Sequence, residues 1–207
     1  GNVEEGIKAS IGIGVEELND RWRKYIKREF WPDVVVFEDL KSFSKQLTNP
    51  KKDHGFYNTS PAISPTGEQI VFITNRDYYF DVYLMDAKTG EVGDRLVKGN
   101  RTIDFEELNI LTPGLGWSPD GTKVVLSAKS MGFDVLYIIE VESEDVEALP
   151  LKLEGVQNVR WSPNGNHLLI AAHTSEQSDL YSYDLSTREL KNLTDDVFSD
   201  SDPIWSP

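Results

Sequence analysis

One short segment recurs along the chain and constrains its fold more than any other feature. It reads Pro-Ala-Ile-Ser-Pro-Thr-Gly from Pro61, Leu-Gly-Trp-Ser-Pro-Asp-Gly from Leu115 and Val-Arg-Trp-Ser-Pro-Asn-Gly from Val159, and it returns in part as Pro-Ile-Trp-Ser-Pro from Pro203. The serines of its Ser-Pro pairs are 54, 44 and 44 residues apart. A period of this length is typical of a fold built from stacked supersecondary units.

The register of the repeat extends beyond the Ser-Pro segment. A tyrosine stands 16 residues after the glycine of each complete segment, and an acidic residue stands 19 residues after it. The tyrosines are Tyr83, Tyr137 and Tyr181, and the acidic residues are Asp86, Glu140 and Asp184. The Ser-Pro segment and these two landmarks at fixed offsets from it make chance repetition improbable, so we predict three equivalent units.

Each unit has the pattern of four antiparallel strands. The proline presets φ and the glycine accepts a positive φ, which favours a tight turn before an apolar strand at 70–74, 124–128 and 168–172. A strand of alternating polarity follows, as at 179–185, and an apolar strand at 95–98, 149–153 and 190–193 closes each unit. Four strands in about 44 residues is the size of a propeller blade. We therefore predict a mainly β chain, a partial β-propeller of three four-stranded blades at about 60–98, 115–153 and 159–194, with a fourth starting at 202.

Two segments lie outside this pattern. The first two Ser-Pro pairs are separated by about 10 more residues than the later ones, and residues 104–110 account for this insertion. We expect them to form one helical turn over a propeller face. Apolar residues recur at helical spacing over 15–31, with charges on the opposite side, and Pro32 stops them. This predicts an N-terminal amphipathic α-helix within a leading segment at 1–44 and the propeller at 45–207, where residues 42–48 resemble a fourth strand.

Composition limits the partners. The chain has 21 basic and 35 acidic side chains, and residues 54–207 carry 11 and 25 of them. Nucleic-acid affinity comes mainly from Lys and Arg, so nucleic acid is not an expected partner. The sequence has no cysteine and no apolar run near the roughly 20 residues of a membrane span, so we expect no disulfides and no direct membrane insertion.

The repeat resembles the TolB-like, WD-repeat-like β-propeller family over roughly residues 45–207. It also resembles bacterial envelope proteins that place such a propeller after a metallopeptidase-like domain. The matching features are the helix over 15–32 that ends in Phe-Trp-Pro, Gly55-Phe-Tyr-Asn-Thr-Ser-Pro61, Tyr79-Phe-Asp-Val-Tyr83 and Asp104-Phe-Glu-Glu-Leu108. This resemblance implies a periplasmic or cell-envelope location in bacteria and a scaffolding role with a protein partner. Propellers of this family usually have six blades. Three blades leave open edges, which predicts a homodimer through them or a cap by the helix.

Catalytic motifs are not evident in the sequence. The three histidines lie outside any His-Glu-x-x-His pattern, and the prominent serines all start Ser-Pro turns. We expect a non-catalytic interaction platform. The alternative is an accessory propeller that gates or presents substrate to a peptidase domain of a longer parent protein.

Propellers bind partners on the face made by the loops after their second and fourth strands. The loops 56–58, 76–80, 129–133, 173–176 and 199–202 are predicted to form that face here. The candidate partner-binding residues on them are aromatic, acidic and polar: Tyr57, Asn58, Asp77, Tyr78, Tyr79, Phe133, His173, Asp200 and Asp202. No cofactor is expected, although the acidic run 195–202 leaves Ca²⁺ open, since hard cations need several oxygen ligands.

Overall fold

A computed structural model describes residues 3–31, 40–99, 104–110, 114–149, 151, 153–173 and 177–206. The chain divides into two compact units, residues 1–46 and residues 47–207. Among the described residues, the first unit is helical and the second holds all of the strands. No helix among the described residues is both long and apolar enough to cross a lipid bilayer.

The part of the first unit that the structure describes contains three helices, α1 (Val3–Ile11), α2 (Val15–Phe30) and α3 (Leu40–Phe43). Helix α2 has Glu16 and Glu17 in its first turn and two bases in its last, an order that suits the helix dipole. Its presence confirms the predicted N-terminal helix, whereas α1 was not anticipated. The prediction of a strand over 42–48 was wrong, because its first residues belong to α3 and the rest form no strand.

The second unit opens with a helical turn, α4 (Pro50–Asp53), whose N-terminus is capped by the side chain of Asn49 accepting from the Lys51 amide at 3.1 Å. Thirteen strands follow within the described residues: β1 (Asn58–Ile63), β2 (Gln69–Thr74), β3 (Asp81–Asp86), β4 (Val92–Val97), β5 (Glu107–Leu108), β6 (Leu115–Trp117), β7 (Lys123–Ser130), β8 (Phe133–Glu140), β9 (Val146–Ala148), β10 (Val156–Trp161), β11 (His167–His173), β12 (Ser178–Asp184) and β13 (Leu190–Asn192).

The strands form three antiparallel sheets in chain order. Blade 1 is β1-β2-β3-β4 and blade 3 is β10-β11-β12-β13. In blade 2, β5 and β6 share one edge of β7, which continues through β8 to β9. The predicted architecture of four-stranded blades is thus confirmed.

The Ser-Pro segment forms the turn between the first and second strands of every blade. The hydroxyl of Ser118 accepts from the Lys123 amide at 2.9 Å, and Ser162 accepts from His167 in the same way. The glycines that end these turns, Gly67, Gly121 and Gly165, have φ of 75°, 74° and 75°. Only glycine adopts this left-handed conformation without a steric cost, which explains its place in the repeat.

Two predictions about blade 2 need correction. Residues 104–110 contain the strand β5, paired with Lys129 and Ala128, rather than a helical turn, and Phe105 and Leu108 are buried. The closing strand is β9 at Val146–Ala148, ahead of the predicted 149–153, where Leu153 makes one isolated bridge with Asp134. Phe105 and Leu108 thus pack into the core without a helical turn. Leu149 and Leu153 pack into the core outside the closing strand.

The core lies between the blades. One face of blade 1, including Val71 and Leu84, packs against Val124 and Ile139 of blade 2. The other face of blade 2 packs in the same way on blade 3, where Val125 and Ile138 meet Leu168 and Ile170. Alternate residues of one strand therefore serve two neighbouring interfaces, as the two-residue period of a strand requires.

Candidate interaction face

The loops that follow the second and fourth strands lie at one end of the sheets. In blade 1 the register aligns Asn58 with Thr74, Thr74 with Asp81 and Val82 with Val97, so the chain leaves and enters these strands at the same end. We call the described residues of these loops in all three blades the loop face. Part of one predicted loop, residues 174–176, lies outside the described residues.

Blade 1 brings several predicted residues to the loop face. The backbone of Tyr57 is fixed by Asn75, whose side-chain oxygen accepts from the Tyr57 amide at 2.9 Å. The ring of Tyr57 stands 6.0 Å from that of Phe80, centroid to centroid. Asn58, Tyr78 and Tyr79 are exposed. Aromatic side chains thus surround the β2–β3 loop.

Asp77 belongs to a polar network beneath these aromatics. Its Oδ2 accepts from the Tyr83 hydroxyl at 2.5 Å and lies 3.3 Å from Nη1 of Arg95. The same guanidinium reaches Oδ2 of the fully buried Asp81, and Oδ1 of Asp81 accepts from the Gly99 amide at 3.0 Å. Burial raises the pKa of the Tyr83 phenol, and the hydrogen bond to Asp77 raises it further. The network ties the β2–β3 loop to the end of β4.

Blade 3 holds the other predicted polar residues. Nε2 of His173 lies 2.7 Å from Nε2 of Gln157, whose Oε1 accepts from Ser178 at 3.4 Å. The Asp200 amide donates to the Ser178 carbonyl at 2.7 Å, and Oδ1 of Asp202 accepts from Asn158 at 3.4 Å. His173 and Asp200 are therefore linked through Gln157 and Ser178, whereas Asp202 contacts Asn158, the residue after Gln157. They stand on a different blade from Asp77 and Tyr57, with blade 2 between the two groups.

Blade 2 contributes Phe133, which is exposed next to the two-residue turn formed by Met131 and Gly132. The amide of Gly132 donates to Oε2 of Glu106 at 3.3 Å, which anchors this turn to the segment that carries β5. Met131 was absent from the predicted site residues. Gly132 between two strands is the sequence signal for such a turn, whereas the residue type of Met131 gives no sign of it.

The loop face carries a high density of exposed large apolar side chains. Besides the predicted aromatics, it exposes four residues that the sequence analysis did not select, namely Phe56, Met131, Val197 and Phe198. Acidic side chains surround them, including Asp104, Glu107, Asp195 and Asp196, all exposed. Exposed apolar patches rimmed by polar groups mark interaction sites on soluble proteins.

The acidic run 195–202 serves the backbone in part. Oδ1 of Asp196 accepts from the Phe198 amide at 2.7 Å, and the Val197 carbonyl accepts from Gln177. Within the part of the chain that the structure describes, no three His, Asp or Glu side chains are grouped to hold a metal ion. Calcium binding by this run stays a prediction.

Four-stranded antiparallel sheets that stack face to face in chain order make this chain a β-propeller protein. Residues 24–207 match the family model described as the TolB beta propeller domain. The match covers most of the chain, which therefore belongs to the TolB beta propeller domain family, as its repeat indicated.

Individual relatives agree with this assignment. The chain is 32% identical over 108 residues to the Tol-Pal system protein TolB of Ruthia magnifica subsp. Calyptogena magnifica, a match over 51% of this chain and 25% of that protein. The crystal structure of TolB from Acinetobacter baumannii matches with a TM-score of 0.57 and 23% identity, over 67% of this chain and 32% of that one. A putative TolB from Agrobacterium tumefaciens gives a TM-score of 0.54 and 20% identity over 67% and 48%. The chain thus spans less than half the length of each relative.

Proposed function

We propose that this chain is a non-catalytic protein-interaction propeller of the bacterial cell envelope, and that the loop face is the surface that binds its partner. The observation that carries the proposal is that most exposed large apolar side chains described in the second unit lie on that one face, among acidic residues. Aromatic residues and methionine are enriched where proteins bind one another. Aromatic rings bury a large area at a small entropic cost, and the flexible methionine side chain adapts to the surface of a partner. The similarity to a Tol-Pal system protein supports an envelope location.

The acidic rim supports a partner with basic or mixed charge. Residues 54–207 carry 25 acidic side chains against 11 basic ones, so the field around the propeller attracts positive charge. Complementary charge of this kind increases the rate of encounter and selects among partners. The partner is thus expected to bind faster at low salt than at high salt.

Photo-crosslinking from single positions tests the proposal. A photoreactive phenylalanine analogue replaces Tyr79 on the loop face, and in a matched chain it replaces Lys88, in the β3–β4 turn at the opposite end of blade 1. Both chains are produced in bacterial cells and irradiated. We expect protein adducts from position 79 and none from position 88. Adducts from position 88 alone, or from neither position, would contradict the assignment of the loop face.

A further inference from the structure

Two exposed side chains on the loop face hold an unfavourable backbone conformation. Tyr78, in the β2–β3 loop, has φ of 72° and a side chain that is 96% exposed. Met131, in the corresponding turn of blade 2, has φ of 51° and is 75% exposed. The same feature thus appears at equivalent places in adjacent blades.

This conformation is costly for both residues. A side chain on a left-handed residue crowds the neighbouring backbone, at a cost of about 1–2 kcal/mol that glycine avoids. The Met131-Gly132 turn has positive φ at both of its residues, a geometry for which Asn-Gly is the preferred sequence. Being exposed, the Tyr78 and Met131 side chains gain little burial in return. The folded chain alone therefore gives no reason for these residue types.

The other described residues with a positive φ are of different types. Five further non-glycine residues among those described have a positive φ, and all are polar: His54, Ser60, Glu144, Arg188 and Asp202. At the opposite end of the blades, the three Ser-Pro turns use glycine at their left-handed position. Large apolar side chains take this conformation at only two described places, both on the loop face. Strain retained at an exposed position is typical of sites that serve binding.

An acidic side chain stands beside each of these two residues, Tyr78 and Met131. Asp77 directly precedes Tyr78 and is half-exposed, with its Oδ2 already paired with Arg95 at 3.3 Å. Glu106 is exposed, and its carboxylate accepts from the amide of Gly132, the residue after Met131. A partner that covers Tyr78 and Met131 would place apolar groups on these two side chains, and its cationic groups would lie close to the exposed Glu106 carboxylate and within the acidic field of the propeller.

We propose that Tyr78 and Met131 are paired anchors for a partner protein segment in which apolar side chains are flanked by Lys or Arg. This inference rests on the proposed function and deepens it, since it names the anchors and the chemistry of the partner. The backbone strain at Tyr78 and Met131 is the energetic cost of holding these two side chains exposed on the loop face, where that segment can bind them.

Substitution by glycine separates binding from folding. Tyr78→Gly and Met131→Gly remove the side chains and relieve the strain, so both variants should keep or raise the melting temperature. Glu144→Gly is the matched control, because Glu144 is exposed at φ of 61° in the β8–β9 turn at the opposite end of blade 2. A fall in melting temperature for either loop-face variant would show that the side chain serves the fold, and would overturn the proposal.

The binding probe is a phage-displayed library of random peptides, selected on the immobilised 207-residue chain. We expect enriched peptides that combine apolar residues with Lys or Arg, and roughly 10- to 30-fold weaker binding of these peptides to each loop-face variant. The Glu144→Gly chain should bind them like the unchanged chain. Enriched peptides without Lys or Arg would contradict the partner chemistry.

The remaining outcomes distinguish this inference from the proposed function. Enriched peptides that bind the loop-face variants as tightly as the unchanged chain would overturn the two anchors and leave a protein-binding role in place. A library that yields no binding peptide would count against both.

Discussion

The indole nitrogen of Trp117 donates a hydrogen bond of 2.9 Å to the carbonyl oxygen of Ala62 in the preceding blade. Trp205 stands in the same relation to blade 3, where its indole nitrogen lies 3.4 Å from the carbonyl oxygen of Arg160. Trp161 holds the equivalent position between them, but its buried indole nitrogen has no hydrogen-bond partner among the described residues. The tryptophan of the repeat thus connects one blade to the next. Among the described residues, this connection lacks the hydrogen bond at Trp161.

This difference predicts unequal effects of two similar substitutions. Trp117→Phe keeps an aromatic ring and removes the donor to Ala62, so we expect a loss of about 1 kcal/mol in the free energy of unfolding. For a domain of this size that is a fall of roughly 2–4 °C in melting temperature. Trp161→Phe, followed by the same thermal unfolding measurement, should cost less. Equal losses would show that the hydrogen bond contributes nothing beyond the packing of the ring.

The buried carboxylate of Asp81 predicts a larger effect. Asp81→Asn preserves the shape of the side chain but removes the charge that faces Arg95 and weakens the acceptor for the Gly99 amide. Because Arg95 keeps its contact with Asp77, we expect a loss of about 2–3 kcal/mol, measured by denaturant unfolding. Glu147→Gln is the control, since it breaks an exposed ion pair with Arg188 and should change stability by less than about 1 kcal/mol. A loss no larger than that of the control would refute the role of the network.

Asp184 predicts the acid dependence of stability. Hydrogen bonds from the Ser186 hydroxyl and from the amides of Thr187 and Ser186 lower the pKa of its carboxyl group to about 2. The unfolded chain has an ordinary aspartate pKa of about 3.9. The ionised carboxylate therefore stabilises the fold above about pH 4, and this contribution is lost as pH falls through about 2.

Melting temperatures measured across that window test the assignment. Asp184→Asn should lower the melting temperature at neutral pH, and the gap to the unchanged chain should close between about pH 4 and pH 2. Glu142→Gln removes an exposed carboxylate from the same protein and controls for net charge. A gap that stays constant down to pH 2 would contradict the lowered pKa.

Peptide hydrolysis by this chain should not exceed the rate in buffer. The turn serines use their hydroxyl protons within the turn, since Ser118 donates to Asp120 at 2.6 Å and Ser162 donates to Asn164 at 2.8 Å. A mixture of fluorogenic peptides measures the rate, with a bacterial protease as the positive control. Saturable turnover that copurifies with the chain through two separate columns would overturn the non-catalytic proposal.

Much of the β-structure was predictable, because every blade requires the same turn residues and the same alternation along its strands, and the repeat contains both. Gly121 sits where a turn requires a left-handed residue, and the alternation around Tyr181 reflects a strand with two different faces. The segment around Leu108 was not predictable. Its burial depends on contacts with a distant strand, which the local spacing of apolar residues does not record.

The loop face was predictable in position but less so in content. Sequence order places the loops at one end of the blades, and aromatic content pointed to Tyr78 and Phe133. Met131 was missed because its residue type gives no sign of a positive φ, and Phe198 was missed because it lies within an acidic run. The positive φ of Met131 and the exposure of Phe198 both depend on the folded structure and not on residue type.

The contact between Trp205 and Arg160 has a consequence for how proteins of this family change in length. It joins the same two positions of the repeat as the contact between Trp117 and Ala62. A duplicated or deleted unit of 44 residues would therefore find a matching neighbour at both of its ends. We therefore expect chains of this family to tolerate the gain or loss of a whole blade better than a change of length within one blade.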